Sequence, residues 1–281
     1  MITALAKYRQ PTIDRRLEFA VRHRDLPLER KRVILGALER VDRLIDSMPD
    51  DFPFDERAEA LLRNDLGFHS VGAMESVIDH PDITELEIGR VQAMKYSAHP
   101  YSPEIELYRF LPAFRSNGNE PYWMPPPREV PHLMSELIKW INSPAARILH
   151  PFLRAVMFYA RYDQIHPFED GTKHTARFFM DKILLQGEGG RRYPPALASR
   201  ELRSFLVIKT PREDRLLRFN SFALIRQGRT TDLVLQLLCL YVNNLDRVFY
   251  GDLAGRNLNE EMRGLVRLLN PETGDFFELN S

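Results

Sequence analysis

One cysteine, Cys239, stands in 281 residues. A disulfide framework is excluded, and a reducing compartment is the expectation. Net charge is absent too: Lys+Arg and Asp+Glu are both 39. Nothing global suggests attraction to nucleic acid or to an acidic membrane, although local patches stay open. Long apolar runs are also missing. None approaches the about 20 residues that span a bilayer, and Lys7, Tyr8, Arg9 and Gln10 interrupt any apolar core after Met1. The chain is expected to be soluble and cytoplasmic. It has no His-Glu-x-x-His spacing and no soft cysteine cluster for a zinc site. Internal repeats and low-complexity tracts are lacking as well. The length suffices for one large domain or two small ones around a sizeable core.

What the chain does have is helical periodicity. Ile34, Leu38, Val41 and Ile45 recur at spacings of four and three with charged residues between, which predicts an amphipathic helix between Pro27 and Ser47. Asp55 to Leu66 predicts another. Residues 68–100 read as one or two helices with a loop near His80-Pro81. Leu133, Met134, Leu137, Ile138 and Ile141 define a helix ending near Asn142, and Pro151 opens one that runs to about Ile165. A further helix is expected from about Thr172 to Leu185, ended by Gly187-Glu188-Gly189-Gly190. Thr231 caps a long apolar stretch, Leu233 to Val248. The β signal lies between Ile105 and Pro125, where Ser116-Asn117-Gly118-Asn119 supplies turn chemistry and Pro125-Pro126-Pro127 stops the return strand.

The chemistry concentrates in one stretch: His166-Pro167-Phe168-Glu169-Asp170-Gly171-Thr172-Lys173-His174-Thr175-Ala176-Arg177. A helical pattern runs into a histidine, and an acidic pair and a glycine turn lead into another helix that carries cations. A helix N-terminus presents free N–H groups and the positive end of the dipole, a natural seat for phosphate. His150-Pro151-Phe152 repeats the tripeptide sixteen residues earlier, but a helix simply continues there, so His150 reads as a helix-start residue.

The stretch resembles the Fic/Doc (Fido) signature, H-x-F-x-[DE]-G-N-G-R-x-x-R. His166, Phe168, Asp170, Gly171 and Arg177 fall on signature positions. Thr172 stands where the family has Asn, Lys173 where it has the second Gly, and His174 where it has the first Arg. Doc-type members, which look like protein kinases, also carry Lys at the Lys173 position. The likeness extends through Tyr108-Arg109, Trp123-Met124-Pro125-Pro126-Pro127, Val130-Pro131, Leu133-Met134, Leu137, Trp140 and His150-Pro151.

The resemblance implies a mainly α fold, a Fic-type helical bundle with a β-hairpin flap. It divides the chain into an N-terminal helical extension (1–89), a Fic/Fido domain (90–245) and a small C-terminal appendage (246–281). It implies transfer of AMP, or a related phosphate-containing group, from Mg²⁺–ATP to a hydroxyl side chain of a protein substrate. His166 would be the general base, since a histidine near its ordinary pKa holds a lone pair at neutral pH; the plain alternative is a helix-terminal histidine. Asp170 would hold Mg²⁺ together with phosphate oxygens, or it merely favours the helix dipole. Gly171, Thr172, Lys173, His174 and Arg177 would bind the nucleotide. His174 is a weaker, pH-dependent substitute for a guanidinium fork, and Lys173 adds bulk and charge where the backbone should come close. Many family members silence themselves with a helix bearing [ST]-x-x-x-E-[GN], whose Glu pairs with the second signature Arg. Glu87, within Ile83-Thr84-Glu85-Leu86-Glu87-Ile88-Gly89, is the candidate; otherwise it is an exposed helical Glu. Phe110 and Phe114 would dock the target along the flap, or pack it onto the helices. Two other readings stay open: a degenerate domain kept as a binding or regulatory module, and a Doc-like protein kinase.

Overall fold

The computed structural model describes residues 28–46, 54–56, 58, 80–95, 108–116, 121–189 and 191–195, with Val234, Leu237, Leu238 and Tyr241. Most of the helix expected over 55–66, the turn residues 117–120, most of the 233–248 helix, Cys239 and the appendage at 246–281 lie outside the described residues.

The described part is mainly helical. Helix α1 (Leu28–Asp46) buries Ile34, Leu38, Val41 and Ile45, the apolar stripe of its sequence. Helix α2 spans Glu85–Lys95, and residues 80–84 before it are not helical. Strand β1 (Phe114–Ser116) pairs antiparallel with β2 (Pro121–Trp123), with Phe114 opposite Trp123. After a short 3-10 turn come α3 (Val130–Ile141), α4 (Pro144–Arg147), α5 (Pro151–Ile165) and α6 (Thr172–Gln186). The sequence reading missed α4, a single turn capped by Ser143 accepting from the Ala146 N–H.

The strands are shorter than the sequence suggested. Residues 108–113 are irregular. The Arg109 N–H bonds to the Pro167 carbonyl at 2.8 Å instead of to a partner strand, so pairing begins only at Phe114.

Helices α5 and α6 flank the signature turn and pack extensively on each other. Phe152, Phe158 and Tyr162 of α5 and Phe178, Phe179 and Leu184 of α6 are almost wholly buried. Burying a side chain of this kind contributes about 1.5–3 kcal/mol. Proline at the first position of α5 costs nothing, because that N–H would have no helical partner. His150 caps the same helix: its Nδ1 accepts from the Phe152 N–H at 3.1 Å. Its Nε2 lies 3.1 Å from Asp42 of α1, and Asp42 also accepts from the Tyr193 hydroxyl at 2.8 Å. Thus α1, α5 and the segment after α6 meet at one carboxylate. Among the described residues no helix is long and apolar enough to cross a membrane.

Candidate active site

The signature folds as a tight link between two helices. His166 ends α5 in a left-handed conformation (φ 51°), the one non-glycine residue with positive φ among those described. Such a conformation is uncommon outside glycine, asparagine and aspartate. The surroundings hold it. The His166 N–H bonds to the Tyr162 carbonyl at 2.9 Å, and its own carbonyl accepts from Arg109 Nε at 2.7 Å. His166 is half-buried, not sealed in the core.

Arg109 is itself buried. Besides His166 it donates from Nη1 to the Leu111 carbonyl at 2.9 Å and from Nη2 to the Pro125 carbonyl. One guanidinium therefore ties the lead-in segment, the residue after β2 and the end of α5 together. Burial pulls its pKa below the ordinary arginine value, while the charge of Glu169 opposes that. Phe168 is buried between Tyr108 and Tyr162, with ring centroids 6.1 and 6.4 Å away.

Gly171 opens α6 with φ 80°, a conformation that favours glycine, and its carbonyl accepts from the N–H groups of His174 and Thr175. Asp170 is exposed, and its Oδ1 accepts from the Gly171 N–H at 2.6 Å, which orients the carboxylate beside the helix start. Lys173, His174 and Arg177 are half-buried along the first turns of α6. No side-chain hydrogen bond or ion pair holds Arg177 among the described residues. Among the described residues no cluster of three His, Cys, Asp or Glu could enclose a metal ion. A cation at Asp170 would need phosphate oxygens to complete its shell.

Thr172 departs from its expected use. Its side chain is buried, and the hydroxyl donates to the Phe168 carbonyl at 3.1 Å and accepts from the Phe168 N–H at 3.2 Å. It closes the loop from within and is not turned toward a ligand.

Glu87 also departs. It is the third residue of α2, and Thr84 is the cap. The Thr84 N–H donates to Glu87 Oε2 at 2.8 Å, while the Glu87 N–H donates to Thr84 Oγ1 at 3.2 Å. That is a capping box, and Thr-x-x-Glu is its sequence mark. The other carboxylate oxygen meets Lys182 Nζ at 2.9 Å, with both side chains buried. Glu87 and Arg177 form no ion pair, contrary to the inhibitory pairing expected of Glu87. Thr84 and Gly89 have the spacing of the Ser/Thr and Gly in that inhibitory motif. The motif's glutamate position then falls on Ile88, fully buried.

Residues 71–184 match the model of the Fic/DOC family. The signature turn lies within that Fic/DOC match. Protein adenylyltransferase Fic from Drosophila melanogaster and from Aedes aegypti are each 30% identical to it over 113 residues, 40% of this chain and 22% of either relative. The chain thus matches less than a quarter of the length of these curated relatives. A Fic domain containing signaling protein from Bacteroides thetaiotaomicron superposes with a TM-score of 0.40 at 19% identity, over 82% of this chain and 95% of that one. For a Fic family protein from Desulfovibrio desulfuricans the values are 0.46, 16%, 85% and 74%.

Two residues near the signature turn were not picked out as site residues from sequence. Gln92, on α2, donates from Nε2 to the Asp170 carbonyl at 2.7 Å, and its Oε1 accepts from the Thr175 hydroxyl at 2.7 Å. Arg109 is the other. Its only sequence mark was membership of the Tyr108-Arg109 lead-in. Of the flap residues, Phe110 and Phe114 are exposed at 66% and 57%. Trp123 is half-buried, its ring 5.3 Å from that of Phe114.

Proposed function

We propose that this protein transfers a phosphate-containing group, AMP from Mg²⁺–ATP in the first instance, to a hydroxyl side chain of a protein target. The supporting observation is the turn itself: His166 closes one helix and Gly171 opens the next, five residues on. In this reading His166 takes the proton of the attacking hydroxyl as its oxygen bonds to phosphorus and the diphosphate leaves. The start of α6, with Lys173, His174 and Arg177, seats the phosphates. Asp170 would hold Mg²⁺, which would supply charge neutralisation on those phosphates. The target segment docks along the paired strands, with Phe110 and Phe114 against it.

One observation favours a second reading, a domain that binds without transferring. The Thr172 hydroxyl is spent on Phe168, so that position offers no side-chain donor to a nucleotide. Intact-mass analysis of candidate proteins, incubated with this chain, Mg²⁺ and ATP, decides. An AMP adduct supports the first reading, a phosphate adduct a Doc-like kinase, and no adduct the binding module. An AMP adduct that persists with His166→Ala would sink the assigned base.

A further inference from the structure

A cleft of about 440 Å³ lies at the far end of α6 from the signature. Pro81, Ile83, Ile141 and Ile183 give it apolar walls, and Arg147, Arg154 and Glu188 give it charge. No signature residue lines it. Its size falls within the roughly 300–1,000 Å³ usual for small-molecule sites.

Arg154 is the odd member. The residue is 8% exposed, and its Nε has no hydrogen-bond partner. Nη2 reaches only the Gly187 carbonyl, at a long 3.4 Å. No carboxylate forms an ion pair with it among the described residues. Arg147, the other arginine of the cleft, pairs with Asp82, and its charge still opposes that of Arg154. Glu188 is exposed and acts on Arg154 only at a distance. Arg154 also stands in the first turns of α5, at the positive end of that helix dipole. A buried guanidinium without a counter-charge is costly, and proteins retain one chiefly where an anion completes it.

The walls are pre-formed. Asn142 grips Ile83 twice, accepting from its N–H at 3.0 Å and donating to its carbonyl at 2.7 Å. Gln186 donates to the His80 carbonyl at 2.7 Å and Lys182 to the Asp82 carbonyl at 3.2 Å. Segment 80–84 is therefore fixed over α3 and α6, and little ordering remains for a ligand to impose.

We propose that this cleft is a ligand site for a small organic anion whose phosphoryl or carboxylate head seats on Arg154 and whose apolar part lies on Ile83, Ile141 and Ile183. The fork of Arg154 suits either head, because its N–H groups match paired oxygens.

Thermal unfolding with phenyl phosphate, phenylacetate and inorganic phosphate as probes tests this, against sodium chloride of equal ionic strength. Wild type should be stabilised by at least one aromatic probe, and more than by inorganic phosphate. Which probe acts decides between the phosphoryl and carboxylate classes. Arg154→Met should raise the unfolding temperature without probe, since a lone buried charge is gone, and weaken apparent probe affinity about tenfold or more. Arg154→Lys, which keeps charge but not the fork, should weaken it less; it carries the test if the Met variant does not fold. Arg177→Ala, at the signature, should leave the effect unchanged. The proposal is overturned if no probe exceeds the chloride control, if both Arg154 variants respond like wild type, or if Arg177→Ala abolishes the response.

Discussion

Arg109 Nε donates to the carbonyl oxygen of His166 at 2.7 Å, across 57 positions of sequence. The carbonyl belongs to the left-handed residue that ends α5, so its direction fixes how the chain enters the signature turn. The same guanidinium bonds to the carbonyls of Leu111 and Pro125. The candidate base and the root of the paired strands are thus held by one side chain.

Arg109→Met should therefore loosen both at once. Three carbonyls lose a charged donor, and a loss of about 3 kcal/mol or more is expected at 1–3 kcal/mol for each group left unsatisfied. Urea unfolding measures it. Arg109→Lys should recover little, because one ammonium cannot match three diverging acceptors. Wild-type stability in Arg109→Lys would contradict the bracing role.

Glu87 and Lys182 form a buried pair at 2.9 Å. Burial lowers the lysine pKa from its ordinary value, and the Glu87 hydrogen bond and charge oppose that. Glu87→Gln keeps the capping box, where Gln also serves, but strands a buried cation. Breaking one side of such a pair costs about 3–5 kcal/mol. Glu87→Gln with Lys182→Met should cost clearly less than the sum of the single changes, as a double-mutant cycle would measure. Glu87→Gly should unfold the protein more easily and should not raise any transfer activity. Activation at unchanged stability would restore the inhibitory role for Glu87.

His150 makes stability depend on pH. Its Nδ1 accepts from the Phe152 N–H, so the neutral ring with its proton on Nε2, toward Asp42, fits the geometry. Burial lowers its pKa below the ordinary 6.5, and Asp42 opposes that only in part. The unfolded chain then binds a proton more readily than the folded one in the window below 6.5. Stability is complete above that value and falls as the pH drops toward the folded pKa. His150→Asn, a cap that does not titrate, should lose less stability on acidification. Equal losses in urea titrations above and below about pH 6.5 would remove His150 as the cause.

The signature departures lend themselves to reversal. Thr172→Asn, Lys173→Gly and His174→Arg together should tighten Mg²⁺–ATP binding, at about 1.5–3 kcal/mol for each charged hydrogen bond regained. Stability should fall, because the Thr172 closure onto Phe168 is lost and a helical glycine costs about 1 kcal/mol. Calorimetric titration gives the affinity. His166→Ala in that background should abolish transfer with binding nearly intact. Tighter ATP binding by wild type than by the triple variant would make Lys173 and His174 working ligands.

The sequence by itself determined what is local. The apolar stripe of α1, the proline start of α5, the glycine that opens α6 and the one that ends it were all legible. Each follows from the dihedral preference or hydrogen-bonding capacity of residues within a turn or two. Thr84-x-x-Glu87 carried an equally local mark. What only the tertiary structure decided is which polar groups meet. Glu87 finds Lys182, 95 positions away, and Arg109 finds His166. The β signal in the sequence spanned Ile105 to Pro125, yet residues 108–113 are irregular, the Arg109 N–H being taken by the Pro167 carbonyl. Arg154 carried no mark in the sequence, and its burial beside the end of α6 came only with the fold. Periodicity tells a chain which face to bury. The partner of a buried charge depends on which other elements arrive at that face, and that distance in sequence leaves no periodic trace.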